Sequence, residues 1–126
     1  VSKKYRRGGI QMLSAELLSF IVGNLIIKNM VDRLRPCQID ETVSLIVKIP
    51  FDSSFPSGHT LNGITAAVTL MFIDKRMGIP AIVLAILIAF SRMYNFMHFP
   101  TDILAGAVLG VVSAVFVNFL FKRAGN

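Results

Sequence analysis

Apolar residues along this chain gather into four long runs separated by polar segments. The runs extend from Ile10 to Ile27, from the Pro56-Ser57-Gly58-His59 turn to about Ile73, from Ile79 to about Met97, and from Ile103 to Phe121. A helix that spans a bilayer needs about 20 residues, within a range of ~17–25. The third and fourth runs meet that length. The first is slightly short and carries Gln11, Glu16 and Asn24, and the second reaches it only if its helix begins at Ser57. Too little chain remains to cover four such helices in water. The pattern therefore predicts an all-α, integral-membrane helical bundle with four transmembrane helices, forming a single domain over residues 1–126.

Composition agrees. The chain is 54% hydrophobic and its mean hydropathy is +0.67, above the ~45–50% apolar content of soluble domains. The single cysteine, Cys37, excludes an intrachain disulfide and a Cys/His metal cluster, and it reads as an incidental thiol. No stretch has the shape of a signal peptide. The net charge of +6 is not that of a nucleic-acid binder, because basic patches with interleaved aromatics are absent. The cations instead flank the apolar runs, as they do beside an anionic membrane surface.

These flanks predict an orientation. Lys3, Lys4, Arg6 and Arg7 precede the first run, Lys75 and Arg76 fall between the second and third, and Lys122 and Arg123 follow the fourth. With four spans, all three segments share one side, assigned to the cytoplasm by the positive-inside rule. The 28–59 region and the 97–102 turn then meet on the opposite face. The one long polar connection, residues 31–54, contains an apolar island from Val43 to Ile49. That island reads equally as a short strand or as an amphipathic segment on the bilayer.

Three groups on that face carry chemistry. In the first, Lys28 and Arg35 are seven residues apart, about two helical turns, so one helix would point both the same way. Together they offer a point charge and a planar fork to phosphate oxygens. In the second, Pro56-Ser57-Gly58-His59 has the form of a helix start. Gly58 permits close backbone approach, and the N-terminal amides suit an anion. Ser57 is either a hydroxyl donor or a plain cap, and His59 exchanges protons near neutral pH. In the third, Arg92 stands inside an apolar run, where a cation is costly, ahead of His98 and Asp102. Pro100 breaks any helix between those two and places Thr101 or Asp102 near the cap of the last helix. Asp102 is either that cap or the carboxylate that orients the imidazole, as in a serine-protease triad.

Taken in order, Lys28-x6-Arg35-Pro36, Pro56-Ser57-Gly58-His59 and Ser91-Arg92-x5-His98-x3-Asp102 resemble the three-part signature of the type 2 phosphatidic acid phosphatases. That superfamily includes phosphatidylglycerophosphate phosphatase B, undecaprenyl diphosphate phosphatases, glucose-6-phosphatase and the vanadium haloperoxidases. The resemblance implies that His98 is a nucleophile forming a phosphohistidine, Asp102 its orienting carboxylate, and His59 the acid that protonates the leaving oxygen. Lys28, Arg35 and Arg92 would clamp the phosphate, with Ser57 and Gly58 as further donors. It implies no metal and no cofactor. Three cations and a helix N-terminus supply the charge that phosphoryl transfer requires. A neutral His98 and a protonated His59 imply activity that falls at both pH extremes.

Membrane members of this family usually have two spans ahead of the first motif. The resemblance therefore implies either the C-terminal part of a six-helix fold or a reduced form, and the Val start favours truncation. The expected activity is metal-independent hydrolysis of phosphatidylglycerophosphate, phosphatidate or undecaprenyl diphosphate. Its partners would be a phosphorylated lipid and the bilayer, not nucleic acid. The expected location is a bacterial plasma membrane with the site on the extracytoplasmic face. Two alternatives use the same residues. A vanadate-dependent haloperoxidase is disfavoured by the apolar runs, since those members are soluble, and a lipid phosphotransferase would differ only in its acceptor. Gly106 and Gly110 add a G-x3-G spacing suited to close helix packing, within the chain or in a dimer.

Overall fold

A computed structural model describes residues 2–31, 33–39, 53–95 and 97–125. The Val43–Ile49 island lies outside the described residues. We label the helices α1 (Lys3–Met30), α2 (Pro36–Ile39), α3 (Gly58–Ile73), α4 (Lys75–Tyr94) and α5 (Pro100–Ala124). Among the described residues the secondary structure is helical throughout, as the apolar runs predict.

Three helices, α1, α4 and α5, are long and apolar enough to cross a membrane. The expected fourth span is shorter. Ser57 caps α3 from outside, accepting from the Thr60 amide at 3.4 Å, and the helix has 16 residues, or about 24 Å of rise. It packs against α1, α4 and α5 at the centre of the bundle. The outer faces of the long helices are apolar and exposed, including Leu13, Leu17, Leu84, Leu87, Leu104 and Val108. Such a surface is stable in lipid rather than water, so the chain is an integral membrane protein.

Two helix boundaries depart from expectation. Lys75 and Arg76 do not form a loop. Asp74 alone joins α3 to α4, accepting from the Arg76 amide at 3.0 Å as the N-cap of α4. α4 ends at Tyr94 rather than Met97, and Pro100 opens α5 behind the cap residue Phe99. Asp102 is thus the third residue of α5, not its cap.

The basic flanks converge at one end. The Tyr5 hydroxyl donates to Asp74 Oδ2 at 3.0 Å, Arg7 donates to the Phe121 carbonyl, and Gln11 donates to Asn118 at 3.0 Å in the interior. The ends carrying Lys28, His59 and His98 lie opposite, so the geometry gathers the cationic flanks and the candidate chemistry at separate ends, as the charge pattern predicts.

The G-x3-G spacing packs α5 onto α3 within the chain. A Cβ at Gly106 would stand 2.8 Å from the Ser57 carbonyl oxygen, and one at Gly110 2.9 Å from that of Leu61. Both neighbours are backbone and cannot swing away. Gly106→Ala is expected to cost about 1–3 kcal/mol through overpacking, read as a lowered thermal midpoint in detergent. Gly9→Ala, whose Cβ would meet nothing within 4 Å, is the matched control and should leave the midpoint unchanged or slightly raised.

Candidate active site

A cavity of about 620 Å³ opens at the end away from the basic flanks. Its polar wall is made by Lys28, Arg35, Gly58, His59, Arg92 and His98, and its apolar side by Phe20, Leu25 and Ile88. Each of the three sequence groups contributes, so residues far apart along the chain meet in one space.

Local structure explains how each arrives. Residues Phe20–Ile27 of α1 are wound as π-helix, a rare winding that clusters at functional sites. Phe20, Asn24, Leu25 and Lys28, along or just beyond this segment, all face the cavity. Lys28 and Arg35 do not share a helix, contrary to expectation. α1 stops at Met30 and Val31 is extended. Arg35 reaches the cavity from the turn ahead of α2. Gly58 brings the first turn of α3 close to α1: a Cβ there would lie 3.4 Å from Asn24 Oδ1 and 3.8 Å from Lys28 Nζ. The positive end of α3 therefore borders the same space. Arg92 enters from the last turn of α4, and its buried Nε has no hydrogen-bond partner among the described residues. Ser57 does not line the cavity. It is fully buried as the α3 cap, and its amide donates to the Asp102 carbonyl at 3.1 Å.

His98 is held on both sides. Its Nδ1 lies 2.8 Å from the Ser54 carbonyl, an acceptor only, so that nitrogen carries the proton. The lone pair is then on Nε2, which receives Arg35 Nη1 at 3.1 Å. Arg35 also donates to the Met97 carbonyl at 3.0 Å. Asp102, expected to orient the imidazole directly, has Oδ2 3.6 Å from His98 Nδ1. Its shorter contacts go elsewhere. Oδ2 accepts from the Phe99 amide at 2.7 Å and from the Ser54 hydroxyl, while Oδ1 accepts from Arg33 at 2.8 Å. Asp102 is thus a helix-capping carboxylate and a neighbour of the imidazole at once.

Sequence reading missed Ser54 and Arg33. Both lie next to motif positions, Arg33 two residues before Arg35 and Ser54 three before Ser57. Only the fold shows that Ser54 touches His98 and Asp102, 44 and 48 residues away.

The family model of the PAP2 superfamily matches residues 8–125 of this chain. The chain belongs to the PAP2 superfamily. An undecaprenyl-diphosphatase of Sulfolobus acidocaldarius is 35% identical over 111 residues, covering 87% of this chain and 53% of that protein. Phosphatidylglycerophosphatase B of Bacillus subtilis is 31% identical over 100 residues, covering 71% of this chain and 46% of that one. The crystal structure of a transmembrane PAP2-type phosphatidylglycerolphosphate phosphatase from Bacillus subtilis superposes with a TM-score of 0.75 at 28% identity, covering 91% of this chain and 59% of that chain. The chain spans about half the length of the curated relatives it matches.

In this PAP2 chain, burial first, and then the positive charge of Arg35, push the His98 imidazole down from its ordinary value to about 4. The protonated form is the disfavoured one, so His98 is neutral across the physiological range. The chain has two histidines, and His59→Gln leaves a single imidazole for NMR titration in detergent. Its midpoint is expected well below pH 6.5, and a midpoint at or above 6.5 would contradict this electrostatic account.

Proposed function

We propose that this chain carries the catalytic unit of a metal-independent lipid phosphate phosphatase acting through a phosphohistidine on His98. The observation that carries the reading is the single cavity in which Lys28, Arg35, Arg92, His59 and His98 meet beside an apolar wall. Cationic side chains at one end of that space suit a phosphate, and the apolar wall suits a tail that stays in the bilayer.

The steps follow from the geometry. The substrate phosphate enters among the three cations, and Arg35 turns from His98 Nε2 to a phosphate oxygen, which uncovers the lone pair. Nε2 attacks phosphorus while the bond from phosphorus to the leaving oxygen breaks. His59 gives its proton to that oxygen, and the dephosphorylated lipid departs. A water then attacks phosphorus with His59 as base, the P–N bond breaks, and inorganic phosphate leaves with His98 again neutral. Throughout, the Ser54 carbonyl holds Nδ1–H and accommodates the positive charge that the imidazole gains. The cations stabilise the equatorial oxygens, where phosphoryl transfer develops charge.

The relatives' names give the substrates to compare, a diphosphate and a monophosphate lipid. The basic flanks at the far end support a cytoplasmic placement for that end and an extracytoplasmic mouth for the cavity, in a plasma membrane.

The test is phosphate release in detergent micelles, with EDTA present, from undecaprenyl diphosphate, phosphatidylglycerophosphate and phosphatidate. Release is expected to survive EDTA and to fall to background in His98→Ala. His59→Gln should lose about 10²–10⁴-fold, the usual weight of a general acid. Full activity in His98→Ala, or loss of activity with EDTA, would overturn the reading.

A further inference from the structure

Arg33 has no place in the mechanism above, yet it makes a close cation–carboxylate contact at the site. Its Nη1 donates to Asp102 Oδ1 at 2.8 Å and to Thr101 Oγ1 at 2.7 Å. The guanidinium lies over the rings of Phe55 and Phe99, at 5.1 and 5.7 Å from their centroids. The flanking backbone is pinned as well. The Arg33 amide donates to Ser53 Oγ at 3.1 Å, and its carbonyl accepts from the Ser54 amide at 2.9 Å. The two rings and Thr101 turn the guanidinium toward the carboxylate.

Asp102 has no solvent exposure. Its carboxylate stands 3.6 Å from His98 Nδ1. An unpaired anion at that range would favour the imidazolium, and an imidazolium has no lone pair to attack phosphorus. Asp102 is not unpaired, because Arg33 binds Oδ1 while His98 approaches Oδ2. The groups that bear on His98 from the surrounding elements are Arg35 ahead of α2, Lys28 of α1, His59 of α3, Arg92 of α4 and Asp102 of α5. Among the described residues, Asp102 is the one anion in this set, so its pairing bears directly on the balance.

We propose that Arg33 is a positioning residue: by pairing with Asp102 it holds the carboxylate away from the imidazole, so that His98 keeps its Nδ1 proton on the Ser54 carbonyl and presents a neutral Nε2 to the substrate. This rests on the reading of His98 as the nucleophile, but its first consequence is a protonation state and not a rate.

The test therefore begins with the imidazole. In the His59→Gln background, where His98 is the single histidine, adding Arg33→Gln is expected to raise the NMR titration midpoint of His98 by about one pH unit or more. Adding Asp102→Asn to Arg33→Gln removes both charges and should return the midpoint to, or below, its value with Arg33 present. This variant also avoids a buried, unpaired carboxylate, so it is the arm that remains if Arg33→Gln alone does not fold. With His59 intact, Arg33→Gln should move the acidic limb of kcat/KM upward by the same amount, and Arg33→Lys, which keeps the charge, should restore part of the shift. An unmoved His98 midpoint in folded Arg33→Gln would overturn the proposal, as would a midpoint raised in the doubly neutralised variant. Absence of phosphate release in the unsubstituted protein would sink the phosphatase reading and leave the titration result standing.

Discussion

The Asp102 carboxylate is the constraint on which the site depends. It is fully buried at one end of a chain whose outer surface faces lipid, and a carboxylate there is stable only with donors around it. The donors come from three places: the Phe99 amide at the start of α5, the Ser54 hydroxyl ahead of α3, and the Arg33 guanidinium beyond α1. Satisfying one anion therefore ties three segments together. The Ser54 carbonyl that receives His98 Nδ1 is part of the same knot, so the fold that solves the desolvation problem also fixes the tautomer of the imidazole. Replacing Asp102 alone would leave Arg33 facing a neutral group and would release the α5 start.

The helix packing serves the same end. α5 approaches α3 so closely at Gly106 and Gly110 that no side chain fits between backbone and backbone. That approach allows the Ser57 amide to reach the Asp102 carbonyl at 3.1 Å, which registers the first turn of α3 against the first turn of α5. His59 rides on one and His98 just precedes the other. In lipid there is no hydrophobic force between helices, and close packing with interhelical hydrogen bonds supplies the cohesion. Thr65 shows how this is done at low cost. Its hydroxyl donates to the Leu61 carbonyl at 2.7 Å and lies 3.5 Å from that of Gly110, so it is satisfied within its own helix while touching the next.

Much of this was legible along the chain. Apolar run length located the helices to within a few residues, because in a bilayer every backbone group must be paired within its helix. Cation placement separated the two ends of the bundle, and the ordered motifs brought Lys28, Arg35, Gly58, His59, Arg92, His98 and Asp102 forward. What stayed hidden depends on three-dimensional partners. A serine at a helix start reads as a cap whichever way its neighbours face, so Ser57 was open between two roles, and Ser54, two residues ahead of Pro56, drew no notice. Arg33 was not singled out either, since its partner is 69 residues away. The shared helix for Lys28 and Arg35 failed because the chain turns extended at Val31, between the two. The π-winding of residues 20–27 has no signature in the order of apolar residues, Gly23 and Asn24 along that run.

The division of labour between the two carboxylate oxygens follows from these contacts. Oδ2 is committed to structure by the Phe99 amide and the Ser54 hydroxyl, and Oδ1 to charge balance by Arg33. Neither is spent on a short bond to His98, which takes a backbone carbonyl instead. A carbonyl carries no net charge, so it fixes the imidazole without drawing a second proton onto it. A carboxylate in the same place would fix it equally well and stabilise the cation. On the proposed reading, in which His98 begins neutral and becomes positive only as phosphorus is attacked, holding the anion slightly back is the better arrangement. On that reading the anion remains close enough to favour the phosphohistidine as charge develops, and Arg33 keeps it from favouring the imidazolium beforehand.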